Sequence, residues 1–137
     1  MLNNFVERNK DIIILVARLL MMTLFLISGW GKLTNYSGTV GYMTSIGVPF
    51  PILATLIAIV MEVFVAIALV IGVFTRPLAL LMAAFTLGTA LLGHHFWTLE
   101  GAERAANLIN FYKNFSIMGG LMLLAITGPG RYAISHK

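Results

Sequence analysis

Long uninterrupted apolar runs alternate along the chain with short polar segments. Four of these runs are long enough to cross a hydrocarbon core of about 30 Å, which takes about 20 helical residues. They cover residues 12–33, 51–73, 77–97 and 107–127. Because the runs are continuous rather than alternating, they favour α-helices and exclude a lone β-barrel. The pattern predicts an all-α fold, an integral membrane four-helix bundle that forms a single domain over residues 1–137.

A shorter helix is expected in the connection between the first two spans. Ser37 is suited to cap a helix over residues 38–46, and Gly47 is suited to end it. Val40 and Met43 give this segment an apolar side, which is typical of a helix lying at the membrane interface. An ordinary loop is the alternative.

Composition strengthens the membrane assignment. Apolar residues make up 59% of the chain and charged residues 10%, and the mean hydropathy is +0.93. Soluble domains average about 45–50% and 25%, and a 15.0 kDa globule has too little interior for so much apolar surface. These values exclude a soluble monomer and a disordered chain. The absence of cysteine excludes iron–sulfur clusters and cysteine-ligated zinc. The net charge of +4 comes from scattered residues, so no nucleic-acid partner is expected.

Lysine and arginine near the span ends predict the orientation, because these residues are concentrated in cytoplasmic segments. Five lie on the side of the two termini and two on the opposite side. The chain is therefore expected to be a multi-pass protein of the bacterial inner membrane, with both termini in the cytoplasm. The five are Arg8, Lys10, Arg76, Arg131 and Lys137, and the two are Lys32 and Arg104.

Charged residues inside the spans are the most informative positions, because a charge at mid-membrane costs about 2.5–3.5 kcal/mol on insertion scales. Glu62 lies near the middle of the second span. With a rise of about 1.5 Å per residue, Arg18 on the first span comes within about 5 Å of the same depth. The sequence thus predicts a Glu62–Arg18 ion pair, either as the floor of a binding site or as a purely structural pair.

Further polar residues lie closer to the outer ends of the spans. Helical spacing gives each span a polar face, and faces that converge would enclose a cavity open to the outer leaflet. The lysines could instead extend to the interface, and the histidines could be ordinary interfacial residues. The candidate ligand-binding residues are Arg18, Lys32, Glu62, His94, His95, Lys113 and Asn114. Adjacent histidines on one helix point about 100° apart, so no metal site is expected.

The residues of these faces suit a lipid-like ligand with a polar head. A quinone head carries two carbonyl oxygens that accept hydrogen bonds from lysine, histidine or asparagine. No nucleophile motif or catalytic triad is visible, so catalytic residues, and whether any reaction is catalysed, stay open. No intrinsic cofactor is expected, and a quinone is the candidate for a bound one. Any redox role would draw its electron carrier from a partner, for which a soluble redox protein is the candidate, or from the quinone.

Several motifs resemble the DoxX family of small bacterial membrane proteins. They are Arg18-Leu-Leu-Met-Met-Thr-Leu-Phe-Leu-Ile-Ser-Gly-Trp-Gly-Lys32, Gly47-Val-Pro-Phe-Pro51, Gly72-Val-Phe-Thr-Arg-Pro77, Gly93-His-His-Phe-Trp97 and Asn110-Phe-Tyr-Lys-Asn114. The resemblance runs from about residue 12 to 130 and implies a four-helix inner-membrane protein. The family is named after a subunit of a thiosulfate:quinone oxidoreductase, and other members are linked to redox defence complexes. The resemblance therefore implies a redox-associated membrane subunit.

Two other functions remain as alternatives: a small transporter-like binder, and a non-catalytic membrane scaffold for a partner protein. Small residues let membrane helices approach closely, so residues 29–31 and 119–120 are interpreted as helix contacts. The Ala84/Gly88 face offers a place for self-association into a homo-oligomer.

Overall fold

The computed structural model describes residues 1–135, and that part of the chain is helical with no strand. Its helices are α1 (Leu2–Thr34), α2 (Tyr36–Ser45), α3 (Pro51–Ile71), α4 (Thr75–Gly93) and α5 (Gly101–Thr127), with a short 3₁₀ turn at Phe96–Thr98. Within these residues, every helix except α2 and the 3₁₀ turn belongs to a segment long and apolar enough to cross a membrane. The predicted all-α fold with four spans is therefore confirmed.

The helix ends differ from the ends of the apolar runs. α1 begins at Leu2 rather than at residue 12, because the polar residues before the run also favour helix and include a Glu7–Lys10 ion pair of 3.5 Å. α4 begins at Thr75, which places Pro77 in its first turn. Hydropathy thus predicts the apolar part of each helix, which is suited to cross the membrane, and not the full length of the helix.

The helix in the first connection is present, with a different start from the one predicted. α2 begins at Tyr36, so Ser37 lies inside its first turn and does not cap it. Asn35 occupies the cap position, without a side-chain hydrogen bond. At the other end Gly47 adopts a left-handed conformation with φ of 82°, as the sequence predicts for a helix stop. α2 packs mainly against α3 and has no buried residue.

The four long helices form two hairpins that meet in only one half of the bundle. α4 packs along α5, and α1 packs along α3. The hydrophobic core joins both hairpins in the half nearest the chain termini, which we call the terminal half. Its buried residues are Met22, Phe25, Met61, Ala66, Leu69, Ala79, Met82, Ala83, Leu121 and Leu124. The opposite half, beneath α2 and the connection from α4 to α5, we call the loop half.

The terminal half is tied together by the segment that follows α5. The Ile134 amide donates to the Ile71 carbonyl at 3.0 Å, and the Arg131 amide donates to the Asp11 carboxylate at 3.0 Å. Arg76 donates to the Ala125 carbonyl at 3.0 Å, close to the C-terminal end of α5, where unpaired carbonyls favour a cation. These contacts hold the helix ends together in the terminal half. In the loop half the two hairpins separate.

Candidate ligand-binding cavity

A cavity of about 750 Å³ lies in the loop half, between the two hairpins and beneath α2. This volume is within the usual 300–1,000 Å³ of small-molecule sites. Most of its wall is apolar, with side chains such as Leu24, Phe25, Ile57, Phe85 and Ile117. Its polar lining residues are Ser28, Lys32, Asn35, Thr39, Tyr42, Glu62, Thr86, Thr89, His94, Asn110, Lys113 and Asn114.

A salt bridge between Lys32 and Glu62 lies at the α1–α3 side of the cavity. The Lys32 Nζ is 2.9 Å from Glu62 Oε2 and 3.2 Å from Oε1. The same ammonium donates to the Ser28 hydroxyl at 2.6 Å, one helical turn earlier. The Glu62 side chain is 9% exposed and the Lys32 side chain 23%. The carboxylate is thus buried with its charge compensated, and the ammonium borders the cavity.

The salt bridge forms because α1 and α3 approach closely at Gly29. A Cβ at Gly29 would lie 2.7 Å from the Glu62 Cβ and 2.8 Å from the Glu62 backbone carbon, closer than real atoms pack. Residues Val60–Val65 of α3 form a π-helical turn around Glu62, and such turns occur often at functional sites. Lys32, one turn beyond Gly29 on the same helix, then reaches the carboxylate.

The predicted pairing of Glu62 with Arg18 is therefore wrong. Arg18 is fully buried in the terminal half, where its Nη2 donates to the Tyr132 carbonyl. The residue of α1 level with Glu62 is Gly29, eleven residues after Arg18 and about 16 Å further along the helix. The depth estimate failed because it assumed that the apolar runs of α1 and α3 cover the same range of depths, whereas the two antiparallel helices are offset along their axes. Arg18 consequently does not line the cavity.

Across the cavity, Asn114 joins α5 to α4. Its side-chain amide donates to the Thr86 carbonyl at 3.2 Å and to the Thr89 hydroxyl at 2.9 Å. Both amide hydrogens are thereby used, so Asn114 presents only its oxygen to a ligand. Lys113 also lines the cavity and is exposed, and within residues 1–135 its ammonium makes no ion pair or hydrogen bond.

The two adjacent histidines have different positions. His94 lines the cavity, and its Nδ1 lies 3.0 Å from the Asn107 side-chain oxygen. His95 turns away from the cavity, with Nδ1 2.7 Å from the Thr98 hydroxyl and Nε2 3.2 Å from the Ile46 carbonyl. His95 therefore links the end of α2 to the connection after α4. Among residues 1–135 no three His, Asp or Glu side chains are grouped as for a metal ion.

The cavity thus brings together Lys32, Glu62, His94, Lys113 and Asn114 of the predicted residues, and it leaves out Arg18 and His95. Sequence reasoning did not single out Ser28. Its spacing of four residues before Lys32, which places the two side chains on one helix face, is the signal that could have found it. The π-helical turn around Glu62 has no such signal in the sequence.

Comparison with known proteins identifies a family that the chain matches. The DoxX family profile matches residues 13–95. The inner membrane protein YphA of Escherichia coli strain K12 is 48% identical over 128 residues, which cover 93% of this chain and 91% of that protein. The inner membrane protein YqjF of the same strain is 45% identical over 130 residues, 95% of each chain. No solved structure matches.

Proposed function

Because the chain belongs to the DoxX family and is a multi-pass inner-membrane protein, we propose that it is a redox-associated membrane subunit that binds a quinone. The observation that carries the proposal is the cavity of about 750 Å³, with apolar walls and a few convergent polar groups. The redox association rests on the resemblance to the family.

The cavity residues fit a quinone by the chemistry of their side chains. Quinone carbonyl oxygens are acceptors, and Lys32, Lys113 and Asn110 are donors that border the cavity. The apolar walls would hold the ring and the first part of an isoprenoid tail out of water. A bound quinone supplies the capacity to take up two electrons and two protons, while the chain's own residues bind and orient it.

The separation of the hairpins in the loop half supports entry of the ligand from the bilayer. A tail can extend sideways between α3 and α4, which pack together through the half of α3 beyond its midpoint and not through its first turns. We further propose that the loop half faces the outer leaflet, with both chain termini in the cytoplasm.

Reporter fusions will test this orientation. Green fluorescent protein fused to either terminus should fluoresce, and alkaline phosphatase fused after Gly101 should be active, because lysine and arginine are concentrated on the side of the termini. The fusion partners exchanged at the same positions serve as controls. Active phosphatase at the termini together with fluorescence at Gly101 would invert the proposed orientation.

Filling the cavity will test quinone binding. A Cβ at Gly88 meets no atom within 4 Å, and Gly88 lines the cavity, so Gly88→Leu should fill part of it without a clash. Protein purified in mild detergent is extracted with organic solvent, and the extract is analysed for quinone by mass spectrometry. We expect about one quinone per cavity in the wild type and a loss of about tenfold in Gly88→Leu, comparable with overpacking costs of 1–3 kcal/mol.

Gly119→Leu is the matched control. A Cβ at Gly119 also meets no atom within 4 Å, but Gly119 lies outside the cavity. This variant should retain the wild-type quinone content, and circular dichroism should show that both variants are folded. Equal quinone content in the two variants would place any bound quinone outside the cavity. A wild-type protein without quinone, purified with a stoichiometric partner, would contradict the proposal and favour a scaffold.

A further inference from the structure

The charges that line the cavity do not balance. Lys32, Glu62 and Lys113 are its charged lining residues. Lys32 and Glu62 neutralise each other through their contact of 2.9 Å. Of these three side chains, Lys113 is the one left without a partner of opposite charge within residues 1–135.

The described part of the chain offers no counter-ion for Lys113. The protein has five acidic residues, and Glu62 is already paired with Lys32. The remaining four are Glu7, paired with Lys10; Asp11, which accepts from the Arg131 amide; and Glu100 and Glu103, beside the first turn of α5. Glu103 is ten residues before Lys113, or about 15 Å along the helix. A counter-ion for Lys113 must therefore come from outside residues 1–135.

Lys113 is placed where an unpaired charge is costly. It lies six residues inside the apolar run of residues 107–127, about 9 Å from the end of that run nearest the loop half, and its neighbour Asn114 bonds to Thr86 and Thr89 in the middle part of α4. Asn110, one turn earlier on the same helix, also lines the cavity, and its side-chain amide makes no hydrogen bond within the described region. The ammonium of Lys113 and the amide of Asn110 thus form a pair of donors without partners on one wall. Anionic oxygen atoms are the groups that such donors bind most strongly.

We propose that Lys113 is the counter-ion of an anionic headgroup, so that the cavity selects amphiphiles with a negatively charged oxygen over neutral ones. The inference rests on the proposed function for the cavity and deepens it: among quinones, those with an ionised ring hydroxyl bind best. Lys32 does not have this role, because Glu62 already compensates its charge.

Three probes will separate the charge of the ligand from its ring. Naphthoquinone is neutral, its hydroxy derivative lawsone is an anion at neutral pH, and palmitate is an anion without a quinone ring. Their dissociation constants are measured with the full chain in a non-ionic detergent, for the wild type and three variants. Lys113→Gln removes the charge, Lys113→Arg keeps it, and Lys10→Gln removes a charge that lies outside the cavity.

The wild type and Lys10→Gln should bind lawsone about tenfold more tightly than naphthoquinone, the lower end of what a charge-assisted hydrogen bond contributes. Lys113→Gln should lose this preference because its affinity for lawsone falls while its affinity for naphthoquinone is unchanged. Lys113→Arg should keep the preference of the wild type. A preference that survives in Lys113→Gln, or equal affinities in the wild type, would overturn the inference and leave quinone binding intact. Binding of palmitate that depends on Lys113, with neither quinone bound, would support the anionic headgroup and contradict the quinone.

Discussion

Replacing Glu62 by glutamine is expected to destabilise the folded protein by about 3 kcal/mol, the lower end of the cost of breaking a buried ion pair. The reason is that Lys32 would keep its charge at the cavity wall and lose the carboxylate 2.9 Å away. The lower end applies because Lys32 is 23% exposed and retains its hydrogen bond to Ser28. The free energy of unfolding can be measured in mixed micelles by circular dichroism as the fraction of sodium dodecyl sulfate rises.

Two double-mutant cycles will show whether Lys32 or Arg18 is the partner of Glu62. Glu62→Gln combined with Lys32→Gln should cost clearly less than the sum of the single changes, because neither charge is then left without the other. Glu62→Gln combined with Arg18→Gln should be additive within about 0.5 kcal/mol, since Arg18 lies in the terminal half. If Glu62 is instead coupled to Arg18 and additive with Lys32, Arg18 would be its partner. The Glu62 carboxylate would then lie in the terminal half, outside the cavity.

The fold was predictable because the bilayer constrains it strongly. Runs of about 20 apolar residues must be helical in lipid, where each backbone polar group needs a partner. The four spans follow from these runs, as does the helix of the first connection with its stop at Gly47. The ten additional residues at the start of α1 were not predictable from hydropathy. Outside the membrane, water can satisfy the backbone polar groups, so a polar segment there can be helical or not.

The composition of the cavity was predictable in part, and its internal pairing was not. Helical periodicity predicts polar faces on α1, α4 and α5, and the structure brings Lys32, His94, Lys113 and Asn114 of these faces to one cavity. The pairing of Glu62 depends on the vertical offset between α1 and α3, which the contact at Gly29 sets. The orientation of His95 depends on the end of α4 at Gly93, since the chain after that residue no longer follows the helix.

The contact that sets this offset leads to a second large expected effect, from Gly29→Ala. The added Cβ would lie 2.7 Å from the Glu62 Cβ and 2.8 Å from its backbone carbon. A backbone atom cannot turn aside as a flexible side chain can, so α1 and α3 must separate along the π-helical turn. Overpacking of this kind costs about 1–3 kcal/mol. We expect the loss to appear in the same micelle unfolding assay, accompanied by a weaker coupling between Lys32 and Glu62.

Gly31→Ala is the matched control for this change. Gly31 is two residues further along α1, and a Cβ there meets no atom within 4 Å. Both substitutions raise the helix propensity of α1 by the same amount, up to about 1 kcal/mol, so the difference between the variants measures the contact with α3 alone. Gly31→Ala should therefore be as stable as the wild type or more stable. Equal stability of the two variants would mean that α1 and α3 are further apart at Glu62 than the structure has them, and the Lys32–Glu62 salt bridge would lose its structural basis.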